Sequence, residues 1–193
     1  MKLSILTPAC WERADKLRTL RDELKSQIDQ YAPGTVEHLV LLDNRTRSVG
    51  LKRQALVDSA LGDYIAFVDD DDWIVQDYVP SILAGIESGA DVITFDQQVY
   101  FNDQQGKVEM KLGQKDEVWK PGRVTRRNAW QVNAWKRTLA RQCLFPDMMD
   151  GEDHRWCLQI RHLAQTSHHI PRILHTYRFN SKQTLASGKD SPH

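Results

Sequence analysis

Four short apolar runs constrain the fold of this 193-residue chain more than any other feature. They read LSIL (3–6), HLVLL (38–42), YIAFV (64–68) and DVITF (91–95), and apolar residues in them do not alternate with polar ones. Runs of this kind are typical of strands that are covered on both faces, as in parallel sheets. The sequence therefore predicts an α/β fold with a mainly parallel central sheet.

Helical patterns fill the segments between these runs. Apolar residues recur at helical spacing between residues 17 and 28, and again within 48–60 and 77–88. The resulting β-α-β-α-β-α-β order is typical of a Rossmann-like, doubly wound sheet that is flanked by helices. A chain of this length, 40% hydrophobic, suits a single domain with a sizeable core.

The second half of the chain shows weaker patterns. We expect a hairpin over 99–112 that turns near 103–106, a strand at 129–135, a helix over 151–164 and a closing strand over 169–179. The polar tail, residues 181–193, is expected to be flexible.

The formal net charge is zero, but the charge is divided unevenly. Residues 1–117 carry −8 and residues 118–193 carry +8, and residues 120–141 hold seven basic and no acidic side chains. Such a division indicates either two halves that neutralise each other or a basic surface that binds an anion.

Three cysteines, Cys10, Cys143 and Cys157, are widely spaced and match neither a metal motif nor a disulfide framework. No apolar stretch approaches the 18 residues of a membrane span. We therefore expect reduced thiols and a cytoplasmic protein.

Four consecutive aspartates, Asp69 to Asp72, follow the third apolar run. In parallel sheets, ligands bind beyond the carboxyl ends of the strands. Carboxylates there suit Mg²⁺ or Mn²⁺, which commonly share a site with substrate phosphates. The alternative is a solvated acidic loop, or a helix cap that uses Asp72 or Asp77.

Two features near the first helices are also candidates for ligand binding. Asp43 ends the second strand, where it can bind a ribose or a base edge or instead begin an Asx turn. Lys52 and Arg53 open the second helix, where they can reach a diphosphate or remain solvated charges.

Two features far along the chain can contribute to chemistry. Glu152 and Asp153 stand at a loop-to-helix junction, which suits a general base but also suits simple stabilisation of the helix dipole. His175, in the closing strand, is either a metal ligand or a structural histidine.

Together these motifs resemble the family-2 glycosyltransferases of the GT-A fold. The resemblance covers residues 2–180 and rests on SILTPAC, Asp43, FPDMMDGEDHRW, HTYRFN and, most specifically, GLKRQALVDSALGDYIAFVDDDDW (50–73). One departure is Gln54, where the family commonly has Asn.

The resemblance implies roles for individual residues. The residues expected at the nucleotide-sugar are Thr7, Pro8, Asp43, Lys52, Arg53, Asp69 and Asp70. The expected ligands of Mn²⁺ or Mg²⁺ are Asp71, Asp69 and His175. Asp153 is the expected catalytic base, with Glu152 beside it.

The implied activity is metal-dependent transfer of a sugar from a nucleotide-diphospho-sugar, with a UDP-sugar expected first, to an acceptor hydroxyl with inversion. Residues 1–100 would form the nucleotide-sugar-binding half and residues 101–180 the acceptor and catalytic-base half of the same domain. The acceptor stays open between a glycan, a lipid-linked sugar and DNA.

Other activities fit less well. A DNA-base (hydroxymethylpyrimidine) glycosyltransferase is suggested by the basic stretch 120–141 with its interleaved Trp130 and Trp135. A non-catalytic nucleotide-sugar or metal binding module would not need the paired acids at 152–153. Sugar nucleotidyltransferases carry a glycine-rich loop after the first strand, which TPACWERADK lacks, and haloacid-dehalogenase-type phosphatases place their aspartates after the first strand, not the third.

Overall fold

The computed structural model describes residues 1–179, and the tail predicted to be flexible, residues 181–193, lies outside the described residues. The strands of the described part are β1 Leu3–Cys10, β2 Val36–Asp43, β3 Tyr64–Phe67, β4 Trp73–Ile74, β5 Val92–Phe101, β6 Gln104–Met110, β7 Val124–Arg127, β8 Ala134–Lys136 and β9 Ser167–Phe179. Its α-helices are α1 Ala14–Tyr31, α2 Val49–Ser59, α3 Tyr78–Ile86, α4 Arg137–Ala140 and α5 Glu152–Leu163.

The strands form one nine-stranded sheet in the order β2-β1-β3-β8-β5-β6-β7, and β9 pairs with both β5 and β4. The pairs β1–β2, β1–β3 and β5–β9 are parallel. Helices cover both faces of the sheet, so the predicted α/β single-domain fold is confirmed. The runs at 3–6, 64–68 and 91–95 form strands that are buried between two helical layers. The run at 38–42 lies in β2, at the edge of the sheet, and is only partly buried.

The strand predicted at 129–135 is wrong in extent. Only Ala134–Lys136 form a strand, and this short β8 runs antiparallel between β3 and β5. Trp135 pairs with Ile65 on one side and with Val92 on the other. The pairing is short because it depends on one buried tryptophan between two strands distant in sequence.

The first strand is longer than its apolar run. It continues through Thr7 and Pro8 to Cys10, which pairs with Asp43 at the carboxyl end of β2. The apolar run at 3–6 is therefore only the first half of β1, and Thr7 and Pro8 lie within the strand. Pro8 is tolerated because β3 pairs with β1 only as far as Leu6, which leaves that side of β1 without a ladder partner.

The core lies on both faces of the sheet. On one face, α1 and α3 bury Leu24 and Ile82. On the other face, α2 and α5 bury Leu56 and Trp156 against the strand layer that contains Trp135. Because both helical layers are anchored, the loops at the carboxyl ends of the strands are held in fixed positions.

The predicted hairpin is formed by β5 and β6. Phe101 pairs with Gln104, so the chain turns over residues 102–103, and most of the predicted turn belongs to β6. The predicted helices over 48–60, 77–88 and 151–164 correspond to α2, α3 and α5.

The three cysteines are buried and carry free thiols. Burial raises the pKa of Cys143 to about 11 and raises the pKa of Cys157 further, so both thiols are protonated at neutral pH. Within residues 1–179, no helix is both long and apolar enough to cross a bilayer.

Candidate active site

The four aspartates alternate between open and buried positions. The side chains of Asp69 and Asp71 are 29% and 31% exposed, whereas those of Asp70 and Asp72 are 0% and 5% exposed. The run therefore contains one Asp-x-Asp pair that a ligand can reach and a second pair that is part of the core.

Arg13, in the 3-10 turn after β1, binds two of the aspartates. Its guanidinium lies 2.8 Å from Asp70 Oδ1 and 2.8 Å from Asp71 Oδ2. The Cys10 N–H donates to Asp70 Oδ2 at 2.9 Å. Burial raises the pKa of Asp70 to about 6, although Arg13 and the Cys10 N–H act in the opposite direction. Sequence reasoning missed Arg13, whose one signal is its position just after β1.

Lys52 and Arg53 are buried, with 4% and 3% exposure, so the alternative interpretation as solvated charges is wrong. Arg53 donates to Asp69 Oδ2 at 2.8 Å and to Glu152 Oε1 at 3.1 Å. Its guanidinium also packs on Phe67, 4.9 Å from the ring centroid. Arg53 thereby joins the aspartate run to the acidic pair that lies about 80 residues further along the chain.

Asp43 ends β2 and begins a turn, the second of the two predicted alternatives. Its carboxylate accepts from the N–H groups of Arg45 and Arg47, as in a turn, and from Lys52 Nζ at 2.7 Å. Lys52 also donates to the Ala9 carbonyl at 2.8 Å, which fixes the end of β1. Partial burial works against ionisation, but the hydrogen bonds hold the pKa of Asp43 below its usual value.

Asp72 contacts β9 and does not cap a helix. His175 Nε2 lies 3.1 Å from Asp72 Oδ2, and His175 Nδ1 lies 3.0 Å from the Gln97 side-chain amide. Both His175 and Asp72 are buried, and burial raises the pKa of the Asp72 carboxyl. The other proposed cap, Asp77, precedes α3 without a side-chain capping bond and pairs with Arg172.

The acidic pair begins α5 as predicted, and its two members differ. Glu152 is 5% exposed and bound to Arg53, and its pKa is raised by burial although Arg53 lowers it. Asp153 is partly exposed, and its Oδ1 accepts from the His154 N–H at 2.6 Å. Gly151, before the helix, has φ of +76°, a conformation that favours glycine.

Tyr177 in β9 is a further residue that sequence reasoning missed. Tyr177 is 40% exposed, and the pKa of its phenol is raised by partial burial and, to a smaller extent, by carboxylates of the aspartate run and Asp153. A signal was available, because His175 and Tyr177 are two residues apart in one strand and share a face. Beside them, Arg178 stacks on the exposed ring of Trp73 at 3.8 Å.

Thr7 and Pro8 are buried within β1. Thr7 Oγ1 donates to the Val68 carbonyl at 2.8 Å and lies 2.9 Å from His38 Nε2. These contacts connect β1 with the end of β3, so Thr7 supports the floor beneath the aspartates.

The aspartate run has donor atoms that suit a hard divalent cation. Asp69 Oδ1 is buried and has no hydrogen-bond partner among residues 1–179, and Asp71 is partly open. Carboxylate oxygens are the ligands that Mg²⁺ and Mn²⁺ prefer. The third predicted ligand, His175, is directed at Asp72, so the described structure does not bring Asp69, Asp71 and His175 into one cluster.

Many cations of the basic stretch 120–141 are bound within the chain. The internal contacts are Lys136 with Asp91, Arg126 with Glu117, Arg137 with the Gly62 carbonyl and Arg141 with the Asp58 carbonyl. Arg127 packs on the Trp130 ring at 4.4 Å. These contacts favour the interpretation that the basic half neutralises the acidic half.

The sequence matches a glycosyltransferase family and a curated glycosyltransferase. The family model "Glycosyl transferase family 2" matches residues 18–146, which is more than half of the chain. A protein of Bacillus subtilis (strain 168), "Putative glycosyltransferase EpsH", is 27% identical over 90 residues, which cover 43% of this chain and 26% of EpsH. The chain therefore matches about a quarter of that relative.

Solved structures share the fold. The crystal structure of S. aureus TarS 1-349 superimposes with a TM-score of 0.67 at 15% identity, covering 92% of this chain and 60% of TarS 1-349. The complex of the same fragment with UDP-GlcNAc has a TM-score of 0.65 at 14% identity and covers 100% of this chain and 62% of the fragment. A further TarS 1-349 structure contains UDP.

Proposed function

Because the chain belongs to glycosyl transferase family 2, we propose that it transfers a sugar from a nucleotide-diphospho-sugar to an acceptor hydroxyl. The observation that carries this proposal is the connection through Arg53, which binds Asp69 of the open Asp-x-Asp pair and Glu152 of the acidic pair. A donor site and a proton acceptor are the two parts that sugar transfer requires, and a binding module would need only the first.

The proposed donor is a UDP-sugar. TarS 1-349, which shares the fold, has been crystallised with UDP-GlcNAc and with UDP. In this chain, Asp43 at the end of β2 and the Lys52 ammonium beside it would contact the nucleoside. Arg13 and Arg53 supply positive charge near the position proposed for the diphosphate.

We propose that Asp71 and Asp69 hold Mn²⁺ or Mg²⁺, whereas His175, which is directed at Asp72, is not part of this ligand set. When bound, such a cation neutralises the diphosphate charge and favours its departure. The chain itself orients these carboxylates, because Arg53 holds Asp69 and Arg13 holds Asp71.

Asp153 is the proposed base. Unlike Glu152, it has no ion pair among residues 1–179, so its carboxylate is available for the proton of an acceptor hydroxyl. The hydroxyl oxygen would then attack the anomeric carbon from the face opposite the diphosphate, which gives inversion. Tyr177, whose pKa is raised in part by carboxylates of both acidic groups, would line the path of the acceptor.

A donor screen tests the proposal. We expect one of the UDP-, GDP- or TDP-sugars to be hydrolysed slowly in the presence of Mn²⁺, with loss of the reaction in EDTA. Asp153→Asn should lower turnover by about 10²- to 10⁴-fold while the affinity for the donor changes little.

The matched control is Asp150→Asn, which alters an exposed aspartate three residues earlier and should leave turnover unchanged. Wild-type turnover in Asp153→Asn would refute the assignment of the base. Failure of every donor with the wild-type chain would refute the proposed activity.

A further inference from the structure

A second group of metal-type ligands lies away from the aspartate run. Asp96, Glu109 and His169 each present one ligand atom, and these atoms lie within 4.8 Å of one another. The residues belong to three adjacent strands, since Asp96 of β5 pairs directly with Glu109 of β6 and Thr94 pairs with His169 of β9. A rigid sheet therefore holds all three side chains.

This group is separate from the proposed donor site. Gln97, which contacts His175, follows Asp96 directly in β5, and successive strand residues point to opposite faces of a sheet. Within residues 1–179, no hydrogen bond or ion pair connects Asp96, Glu109 or His169 to the aspartate run.

His169 is oriented as a metal-binding histidine would be. Its Nδ1 lies 3.0 Å from the hydroxyl of Thr94, which is fully buried, and its Nε2 faces Asp96. A hydrogen bond at one ring nitrogen fixes the ring and leaves the other nitrogen for a cation.

The buried oxygen of Asp96 supports a ligand at this position. Asp96 is 1% exposed, and its Oδ1 has no hydrogen-bond partner in the described part of the chain. Oδ1 lies 3.5 Å from His169 Nε2, which is longer than a good hydrogen bond. Tetrahedral zinc with ligands at about 2.0–2.1 Å separates its ligand atoms by about 3.4 Å. A separation of 3.5 Å between His169 Nε2 and Asp96 Oδ1 therefore leaves room for both atoms to bind one metal ion.

We propose that Asp96, Glu109 and His169 form a binding site for Zn²⁺, distinct from the donor site. One imidazole and two carboxylates favour zinc over Mg²⁺, which prefers oxygen ligands alone. The ammonium of Lys107, 2.7 Å from Asp96 Oδ2, balances the charge without metal and competes with the cation. Lys107 is partly exposed, so it can leave the site for solvent.

Zinc binding to the metal-free full chain tests the proposal, with equilibrium dialysis for affinity and the visible absorption of Co²⁺ for geometry. We expect wild type to bind with a tetrahedral Co²⁺ spectrum. His169→Gln should weaken binding at least tenfold, and the control His168→Gln, at the exposed neighbouring histidine, should not change it. Lys107→Met should bind severalfold more tightly, a gain that misfolding cannot produce.

The outcomes separate this site from the donor site. Equal affinity in wild type and His169→Gln would overturn the proposal, as would the absence of zinc binding in wild type or weaker binding in Lys107→Met. Because neither residue belongs to the proposed donor site, the result is independent of whether the chain transfers a sugar.

Discussion

Each of the four consecutive carboxylates contacts a basic side chain, and the two central carboxylates share one. At a separation of about 5 Å and an effective dielectric of about 20, two carboxylates repel by about 3 kcal/mol. Asp69 is bound by Arg53, Asp70 and Asp71 share Arg13, and Asp72 contacts His175. The cluster is therefore tolerated before any ligand arrives, because Arg13, Arg53 and His175, from three distant parts of the chain, contact it.

Asp70 should make stability depend on pH. Its pKa is about 6 in the fold and about 3.9 in an unfolded chain. Below pH 4 the carboxyl is protonated in both states, and between pH 4 and 6 it ionises more readily in the unfolded state, so stability falls as pH rises. Asp70→Asn has no carboxyl to ionise at this position. Between pH 4 and 6 its free energy of unfolding should therefore rise relative to that of wild type by up to about 3 kcal/mol.

Urea denaturation at several pH values between 4 and 8 measures this difference. Asp15→Asn serves as the control, because the Asp15 side chain is 93% exposed, and its difference from wild type should stay flat. If the stability of Asp70→Asn and that of wild type change in parallel with pH, burial does not raise the pKa of the Asp70 carboxyl.

At this scale the sequence predicted the acidic residues better than the basic ones. The aspartates could be recognised from the sequence because they directly follow a buried strand. Arg13 could not be recognised in this way, because arginines near helix starts are common on protein surfaces. Only the folded chain brings Arg13 to Asp70. The burial of Lys52 and Arg53 likewise depends on partners in other elements, Asp43 and Glu152.

The segment that carries the proposed base, Asp153, is positioned by close packing between α2 and the chain before α5. The Gly50 N–H donates to the Met148 carbonyl at 3.0 Å, and Gln54 Oε1 accepts from the Phe145 N–H at 3.0 Å. A Cβ on Gly50 would lie 1.8 Å from the Pro146 carbonyl oxygen. Gln54, the departure from the family pattern, is thus a structural contact that helps to hold this segment.

Gly50→Ala should destabilise the protein, although alanine normally stabilises a helix relative to glycine by about 1 kcal/mol. The added methyl group forces the backbone near Pro146 away, at a cost of about 1–3 kcal/mol or more. Thermal unfolding measures the change, and Ser59→Ala at the exposed end of the same helix is the control. Greater stability in Gly50→Ala would mean that this contact is loose.

Long elements with strong patterns were predictable, and short ones were not. β1, β2, β3, β5 and α5 follow from apolar runs or helical spacing. β4 has two residues and exists because Trp73 and Ile74 pair with β9, a contact across about 100 residues that no local pattern carries. The bounds of β8 were predicted wrongly for the same reason, because its pairing with β3 and β5 joins segments that are distant in sequence.

For the whole molecule, the division of charge is largely resolved within the fold. The basic half supplies partners to the acidic half through contacts such as Lys136 with Asp91 and Arg172 with Asp77. An exposed basic surface for nucleic acid would instead leave its cations unpaired and clustered. The fold therefore gives the second half of the chain a neutralising role that its composition left ambiguous.

We expect duplex DNA to bind weakly. Fluorescence anisotropy with a 20-base-pair duplex should detect no binding tighter than about 100 µM even at 50 mM salt, at the weak end of the range for non-specific binders. A protein with a known basic DNA-binding surface is the positive control. Tight binding that falls steeply as salt rises would instead support a DNA-base glycosyltransferase.

The contact between Asp72 and His175 has a consequence for synthesis on the ribosome. The aspartates are made first, and His175 and Tyr177 follow about 100 residues later in the chain. As long as β9 is still inside the ribosome, the Asp72 carboxylate of the aspartate run lacks its partner, the His175 imidazole. The amino-terminal half can then collapse around its apolar strands, but the loop cannot close. We therefore expect the nascent chain to become able to bind the proposed donor abruptly, when β9 leaves the ribosomal exit tunnel.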